Sequence, residues 1–119
     1  MVSNRVILRL GHILEAITRA KTLLADKSHA DLLDDWTVRL LLERLLEVIS
    51  EASRHIPDAL RTEYGAHVPW QQVAGIGNNL RHGYDEIDSG ILWDVATQDL
   101  PVLDAAVRAM LDHLDTGDS

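Results

Sequence analysis

Apolar residues recur at spacings of three and four along most of this chain. From Asn4 to Ala25 this spacing predicts an amphipathic helix of about six turns. A second stripe, from about Asp31 to His55, predicts another long helix. Its apolar face, widened by Leu41, Leu46 and Val48, is broad enough to need more than one neighbour within the fold, or a second protomer. Alternation with a period of two, which is typical of strands, nowhere competes with the helical pattern, so the chain is predicted to be all-α.

Four shorter helices are predicted from prolines and capping side chains at their starts. They run from Pro57 to Gly65, from Pro69 to about Gly83, from Ile91 to Ala96 after a cap at Asp88 or Ser89, and from Asp99 to Leu114. The predicted fold is an antiparallel helical bundle with two long helices and several shorter ones. A length of 119 residues fits a single domain over 1–119.

Composition excludes several classes of function. The chain has no cysteine, which excludes disulfides and thiolate metal sites. The net charge of −8 argues against broad, non-specific binding to nucleic acid. Four arginines, at positions 39, 44, 54 and 61, either line a local basic surface or are solvated helix charges. No apolar run is long enough for a membrane span and the first ten residues do not resemble a signal peptide, so a cytoplasmic protein is expected.

The segment from Gly75 to Tyr84 carries most of the chemically capable residues. Side chains four apart stack on one helix face, and such a row is formed by Gln71, Gly75, Asn78 and His82. The apolar row points elsewhere and consists of Val73, Ile76 and Leu80. Glycine inside a helix costs about 1 kcal/mol relative to alanine. We therefore expect Gly75 and Gly77 to allow the close approach of another backbone, or access for a ligand.

His82 is either a general acid or base, or a structural or solvated histidine. Arg81 next to it supplies the charge that a phosphodiester reaction needs on its developing phosphorane oxygens. A metal site is less favoured, because Asp85 and Glu86 follow the predicted helix end at Gly83 and would reach His82 only if the chain turned back there. Tyr84 is either a buried, hydrogen-bonded ring or an exposed nucleophile or modification target.

Several motifs, taken in their order, resemble the HepT-like branch of the HEPN superfamily. They are Ile13–Ile17, Glu47–Ala52, Pro69-Trp70, Gly75–Tyr84, Ile87-Asp88, Leu92-Trp93 and Asp99–Pro101. The resemblance covers about Arg9 to Leu114. It implies a dimeric helical-bundle toxin of a type VII toxin–antitoxin pair, encoded beside a small nucleotidyltransferase antitoxin. It also implies a metal-independent ribonuclease without a cofactor, with RNA as its substrate.

The resemblance assigns roles to single residues. The polar residue of the family motif falls on Asn78, the histidine on His82, and the tyrosine that the antitoxin adenylylates on Tyr84. The motif arginine falls on position 77, which is glycine here, and Arg81 one turn later is the candidate to replace it. Gly75, Asn78 and His82 are then expected to face a cleft between two protomers.

Two alternatives to a ribonuclease stay open on the sequence. One is a catalytically degenerate binding module that dimerises and pairs with the nucleotidyltransferase but cleaves nothing. The other is a nucleotide-binding helical domain, which keeps an anion-binding face without hydrolysis.

Overall fold

The chain folds into helices that pack side by side, as a computed structural model shows. The structure describes residues 4–82 and 88–117, and it describes side chains for 4–80 and 88–114. The helices are α1 (Asn4–Leu24), α2 (His29–Asp34), α3 (Trp36–Ser53), α4 (Asp58–Gly65), α5 (Trp70–His82), α6 (Ser89–Asp94) and α7 (Leu100–Gly117). A π-helical segment, Val95–Asp99, joins α6 to α7. No strand occurs in these ranges, which confirms the all-α prediction.

Helix α3 lies at the centre of the packing, because it contacts both α1 and α5 extensively. Helix α7 packs on α1 and α4, and α6 packs on α2. The core is formed by the apolar stripes of these helices, and its fully buried side chains include Leu10, Ile13, Leu42, Leu46, Ile49, Leu92, Leu103 and Met110. Only part of the broad apolar stripe predicted for α3 is buried. Leu46 is core and Val48 is half-buried against it, but Leu41 is exposed.

The predicted long helix from Asp31 to His55 is wrong in one respect, because the chain breaks at Asp35. Asp35 is extended, with φ −112° and ψ 97°, and its carboxylate accepts hydrogen bonds from the Thr37 and Val38 amides. An aspartate in this position satisfies backbone donors that a continuous helix would use internally. Ser28 and Asp31 form a capping box that starts α2 separately. The result is a short α2 followed by α3.

The last helix, predicted from Asp99, begins at Leu100, but the predicted separation from the helix before it is wrong. Helical backbone continues from Ser89 through the π-helical segment to Gly117, and Leu100 has helical angles of φ −62° and ψ −39°. Val95 and Leu100, five residues apart, are both buried. The wider π turn brings Leu100 rather than Asp99 onto the core face.

Asp99 occupies the end of the π-helical segment in an unfavourable environment. Its Oδ2 atom is buried, and no hydrogen-bond partner for it lies within the described residues. Burial raises the pKa of the Asp99 carboxyl above its ordinary value, and the nearby charge of Asp94 raises it further.

Candidate functional site on α5

The start of α5 is held by Trp70. Its indole Nε1 donates a hydrogen bond of 2.7 Å to the Gly65 carbonyl at the end of α4. The Arg61 guanidinium lies 5.4 Å from the centre of the Trp70 ring, a cation–π distance. Arg61 also donates to the Ile56 carbonyl over 3.1 Å, just beyond α3. Trp70 thus places the N-terminal end of α5 beside the C-terminal end of α3.

The middle of α5 presses against α3 at Gly77 and Ser50. Both residues are buried, and a Cβ atom added to Gly77 would stand less than 3.0 Å from the Cβ and Oγ atoms of Ser50. Ser50 also donates a hydrogen bond of 2.9 Å to the Ala74 carbonyl of α5. The predicted close approach at Gly77 is therefore confirmed. Because the first residue of α5 also lies beside the C-terminal end of α3, the two helices run antiparallel.

Gly75 shows no such close approach within the described part of the protomer. A Cβ atom added to Gly75 would find no atom of the described residues within 4 Å. Within the protomer this glycine allows no close contact that alanine would prevent.

The separation of polar and apolar faces on α5 is as predicted. Val73 and Ile76 are buried and Leu80 is half-buried, whereas Gln71 and Asn78 are exposed. Beside this polar face lies an open depression of about 510 Å³, lined by Gln71, Gln72, Gly75, Ile76, Asn79, Asp88 and Ile91. The amide side chains can donate and accept hydrogen bonds there. The Asp88 carboxylate caps α6 through a bond of 2.6 Å to the Gly90 amide.

His82 is the last residue of α5. The side chains of Arg81 and His82, and the whole of Tyr84, lie outside the described residues. Of the predicted site residues, Asn78 is therefore the one whose side chain is described, and it is free of the core.

The four arginines expected either at a basic surface or as solvated charges have different surroundings. Arg61 is engaged at Trp70, Arg39 pairs with Glu43 over 2.8 Å, and Arg44 reaches Glu47 over 3.4 Å. Arg54 follows Ser50 by one turn, toward the end of α3 that meets Trp70. Because α3 and α5 are antiparallel, the backbone of Arg44, not that of Arg54, lies toward the His82 end of α5.

Sequence reasoning missed the part that Ser50 plays in this site. A buried serine interrupts the apolar stripe of α3, and that interruption was the available signal for a close helix contact. The partner of Ser50 could not be predicted, because Gly77 is distant from it in sequence.

Neither a metal cluster nor a membrane span is found in the described ranges. In 4–82 and 88–117 no three histidine or acidic side chains gather closely enough to hold a metal ion. Over the same residues, every helix is too short or too polar to cross a bilayer.

Comparison with known proteins adds the family. The model of the family described as "Ribonuclease HepT-like" matches residues 13–110. A "Gamma-glutamylcyclotransferase and putative RNase" of Methanocaldococcus jannaschii is 30% identical over 106 residues, which are 89% of this chain. The chain spans 47% of the length of that relative.

Two further relatives match over most of their own length. A "Putative RNase" of the same archaeon is 32% identical over 99 residues, covering 83% of this chain and 90% of the relative. A "Probable ribonuclease HepT" of Thermococcus cleftensis is 31% identical over 94 residues, covering 79% of this chain and 84% of the relative. No solved structure gives a significant match. The range matched by the family includes α5, with its polar face and its contact to α3. The chain therefore belongs to the HepT-like ribonuclease family.

Proposed function

We propose that this protein is a HepT-like toxin that cleaves RNA without a metal ion, at a cleft between two copies of the chain. The observation that carries the proposal is the exposed polar face of α5. It ends at the backbone of His82 in a chain of the HepT-like ribonuclease family. Asn78 is exposed on that face and Val73 is buried on the opposite one, so a ligand reaches the polar row without disturbing the core.

The proposed reaction is attack of the ribose 2′-oxygen on the adjacent phosphorus. His82 takes the 2′-hydroxyl proton as general base, or gives a proton to the leaving 5′-oxygen as general acid, and water exchanges the other proton. Arg81 stabilises the negative charge of the phosphorane, and Asn78 orients the phosphate or His82. The P–O5′ bond breaks, leaving a 2′,3′-cyclic phosphate and a 5′-hydroxyl. Two protomers together form one composite site.

The proposed partner is a small nucleotidyltransferase antitoxin, encoded beside the toxin and acting in the cytoplasm. It silences the toxin by transferring AMP from ATP to the Tyr84 hydroxyl oxygen, with pyrophosphate as the leaving group. The chain has only two tyrosines, so Tyr64 is a matched control. We expect an added AMP mass on wild type and on Tyr64→Phe, and none on Tyr84→Phe, after incubation with the nucleotidyltransferase and ATP. Labelling of Tyr84→Phe would refute the assignment.

Position 77 supports a second candidate function. The family arginine is absent there, and Ser50 occupies the space beside Gly77. A chain altered in this way can keep its dimer and its antitoxin while losing cleavage. We favour a weakened ribonuclease, because His82, Asn78 and Tyr84 are all retained.

The deciding experiment is incubation of the purified chain with RNA in the presence of EDTA. We expect slow cleavage that leaves cyclic phosphate ends and is lost in His82→Ala. Cleavage is retained in His67→Ala, a control at a histidine that is exposed and lies outside α5. Cleavage that needs a divalent ion, or that persists in His82→Ala, contradicts the mechanism. No cleavage by wild type, together with antitoxin binding, favours the binding module. Sedimentation as a monomer at micromolar concentration argues against the composite site.

A further inference from the structure

Large apolar side chains are exposed where α2 joins α3. Four of the six exposed large apolar side chains in the described part of the chain lie within residues 33–41. Leu33 is 63% exposed, Trp36 is 72% exposed and Leu40 is 53% exposed. Trp36 and Leu40 stand four apart on α3, so they share one face of the helix. We call the Trp36 and Leu40 face, together with Leu33 just before the break at Asp35 in the chain, the tryptophan patch.

The segment that carries the patch has an excess of negative charge. Residues 26–43 contain five acidic and two basic side chains, a net charge of −3. Both basic side chains already have carboxylate partners, since Lys27 meets Asp26 and Arg39 meets Glu43, each over 2.8 Å. The excess negative charge therefore belongs to Asp31, Asp34 and Asp35, which flank Leu33 and Trp36 in the chain.

Exposed apolar side chains next to excess negative charge indicate which class of molecule can bind the patch. An RNA strand stacked on Trp36 would bring its phosphates toward three carboxylates, which opposes binding. A second copy bound with its two-fold axis through the patch would bring the same three carboxylates of both copies close together, and their repulsion opposes that contact. A protein segment with apolar residues on one side and lysines or arginines beside them covers the apolar surface and pairs with the carboxylates.

We propose that the tryptophan patch is a docking surface for a basic, amphipathic segment of another protein. Trp36 is the anchor, because tryptophan contributes disproportionately to protein interfaces. Asp34 and Asp35 attract the basic residues of the partner and raise its rate of association. The proposal uses this surface alone and is independent of any nuclease activity.

The test measures binding of a synthetic amphipathic helix of leucine and lysine, labelled for fluorescence anisotropy, to the whole chain. A leucine–glutamate helix of the same pattern is the control probe. We expect wild type to bind the lysine peptide and not the glutamate peptide. Trp36→Ala should bind the lysine peptide at least tenfold more weakly, and Asp34→Lys several-fold more weakly at low salt. Leu8→Ala, at an exposed leucine of α1, should bind as wild type does.

Several outcomes would overturn the proposal. One is equal binding of the lysine peptide by Trp36→Ala and Leu8→Ala. Another is equal binding of both peptides by wild type. Dissociation of a wild-type dimer by Trp36→Ala would make a second copy the occupant instead. Weaker RNA binding by Trp36→Ala would assign the patch to RNA. Unfolding does not confuse these results, because a substitution at so exposed a side chain leaves the core intact and circular dichroism checks it.

Discussion

Gly77 of α5 and Ser50 of α3 meet so closely that a single added carbon at Gly77 would overlap the Ser50 side chain. This contact brings the helices together beside the polar face and is reinforced by the hydrogen bond from Ser50 to the Ala74 carbonyl. It also determines how position 77 can be changed.

Alanine should have opposite effects at the two glycines of α5. Gly77→Ala should lower the free energy of unfolding by about 1–3 kcal/mol, because it overpacks a filled contact. Gly75→Ala should raise it by up to about 1 kcal/mol, because its Cβ enters open space and alanine favours the helix. Urea denaturation of both variants at low protein concentration measures the difference. A Gly77→Ala protein as stable as Gly75→Ala would mean that α3 and α5 are not in close contact there.

Restoring the family arginine should require two changes. Gly77→Arg alone should destabilise the protein and leave cleavage low, because Ser50 blocks the first carbon of the new side chain. Ser50→Gly with Gly77→Arg removes the Ser50 Cβ and Oγ atoms and should raise the cleavage rate above wild type. A guanidinium that stabilises the transition state is worth roughly 10²–10³ in rate. Initial rates on one RNA, with Ser50→Gly alone as the control, test this expectation. Full activity of Gly77→Arg alone would contradict it.

Arg81→Ala separates the weakened enzyme from a degenerate one. If Arg81 supplies the charge for the phosphorane, its removal should lower any measured rate by roughly 10²–10³. Single-turnover cleavage measures this loss. A robust nuclease that tolerates Arg81→Ala would move the role to another arginine. Arg44 would then be tested before Arg54, because it lies nearer the His82 end of α5.

Asn78→Ala should lower cleavage without lowering stability. The side chain is exposed, so its removal leaves the core unchanged, while the phosphate or His82 loses an orienting group. Gln71→Ala, at an exposed amide two turns earlier on the same face, is the matched control and should retain wild-type rates. Equal losses in both variants would indicate a general effect of the polar face on RNA binding.

Asp99→Asn should stabilise the protein near neutral pH by about 1 kcal/mol, because it removes a charge from a partly buried site where Oδ2 has no hydrogen-bond partner among the described residues. The pKa of Asp99 is raised in the folded state, so the native protein binds more protons than the unfolded chain between the two pKa values. Wild-type stability should therefore fall as pH rises through that window. The advantage of Asp99→Asn should vanish below the ordinary aspartate pKa of 3.8. Thermal unfolding from pH 3 to pH 7 checks the sign.

The sequence predicted the helices and the polar face of α5 well, because both depend on local spacing. Asn78 and Val73 are on the faces expected for them. The break at Asp35 was missed because apolar residues continue at helical spacing across it, while the cap is a property of one side chain. The difference between Gly75 and Gly77 was missed because it depends on Ser50, which only the packing of α3 on α5 brings near. The roles of Arg81, His82 and Tyr84 remain predictions.

The π-helical segment Val95–Asp99 should tolerate the removal of one residue. Val95 and Leu100 both face the core, although they are one residue farther apart than an α-helical turn requires. Removing Gln98, which is exposed, would bring the two to a spacing of four. The segment could then close into ordinary α-helix without turning the stripe of α7 away from the core. A homologue one residue shorter here would therefore keep the same bundle.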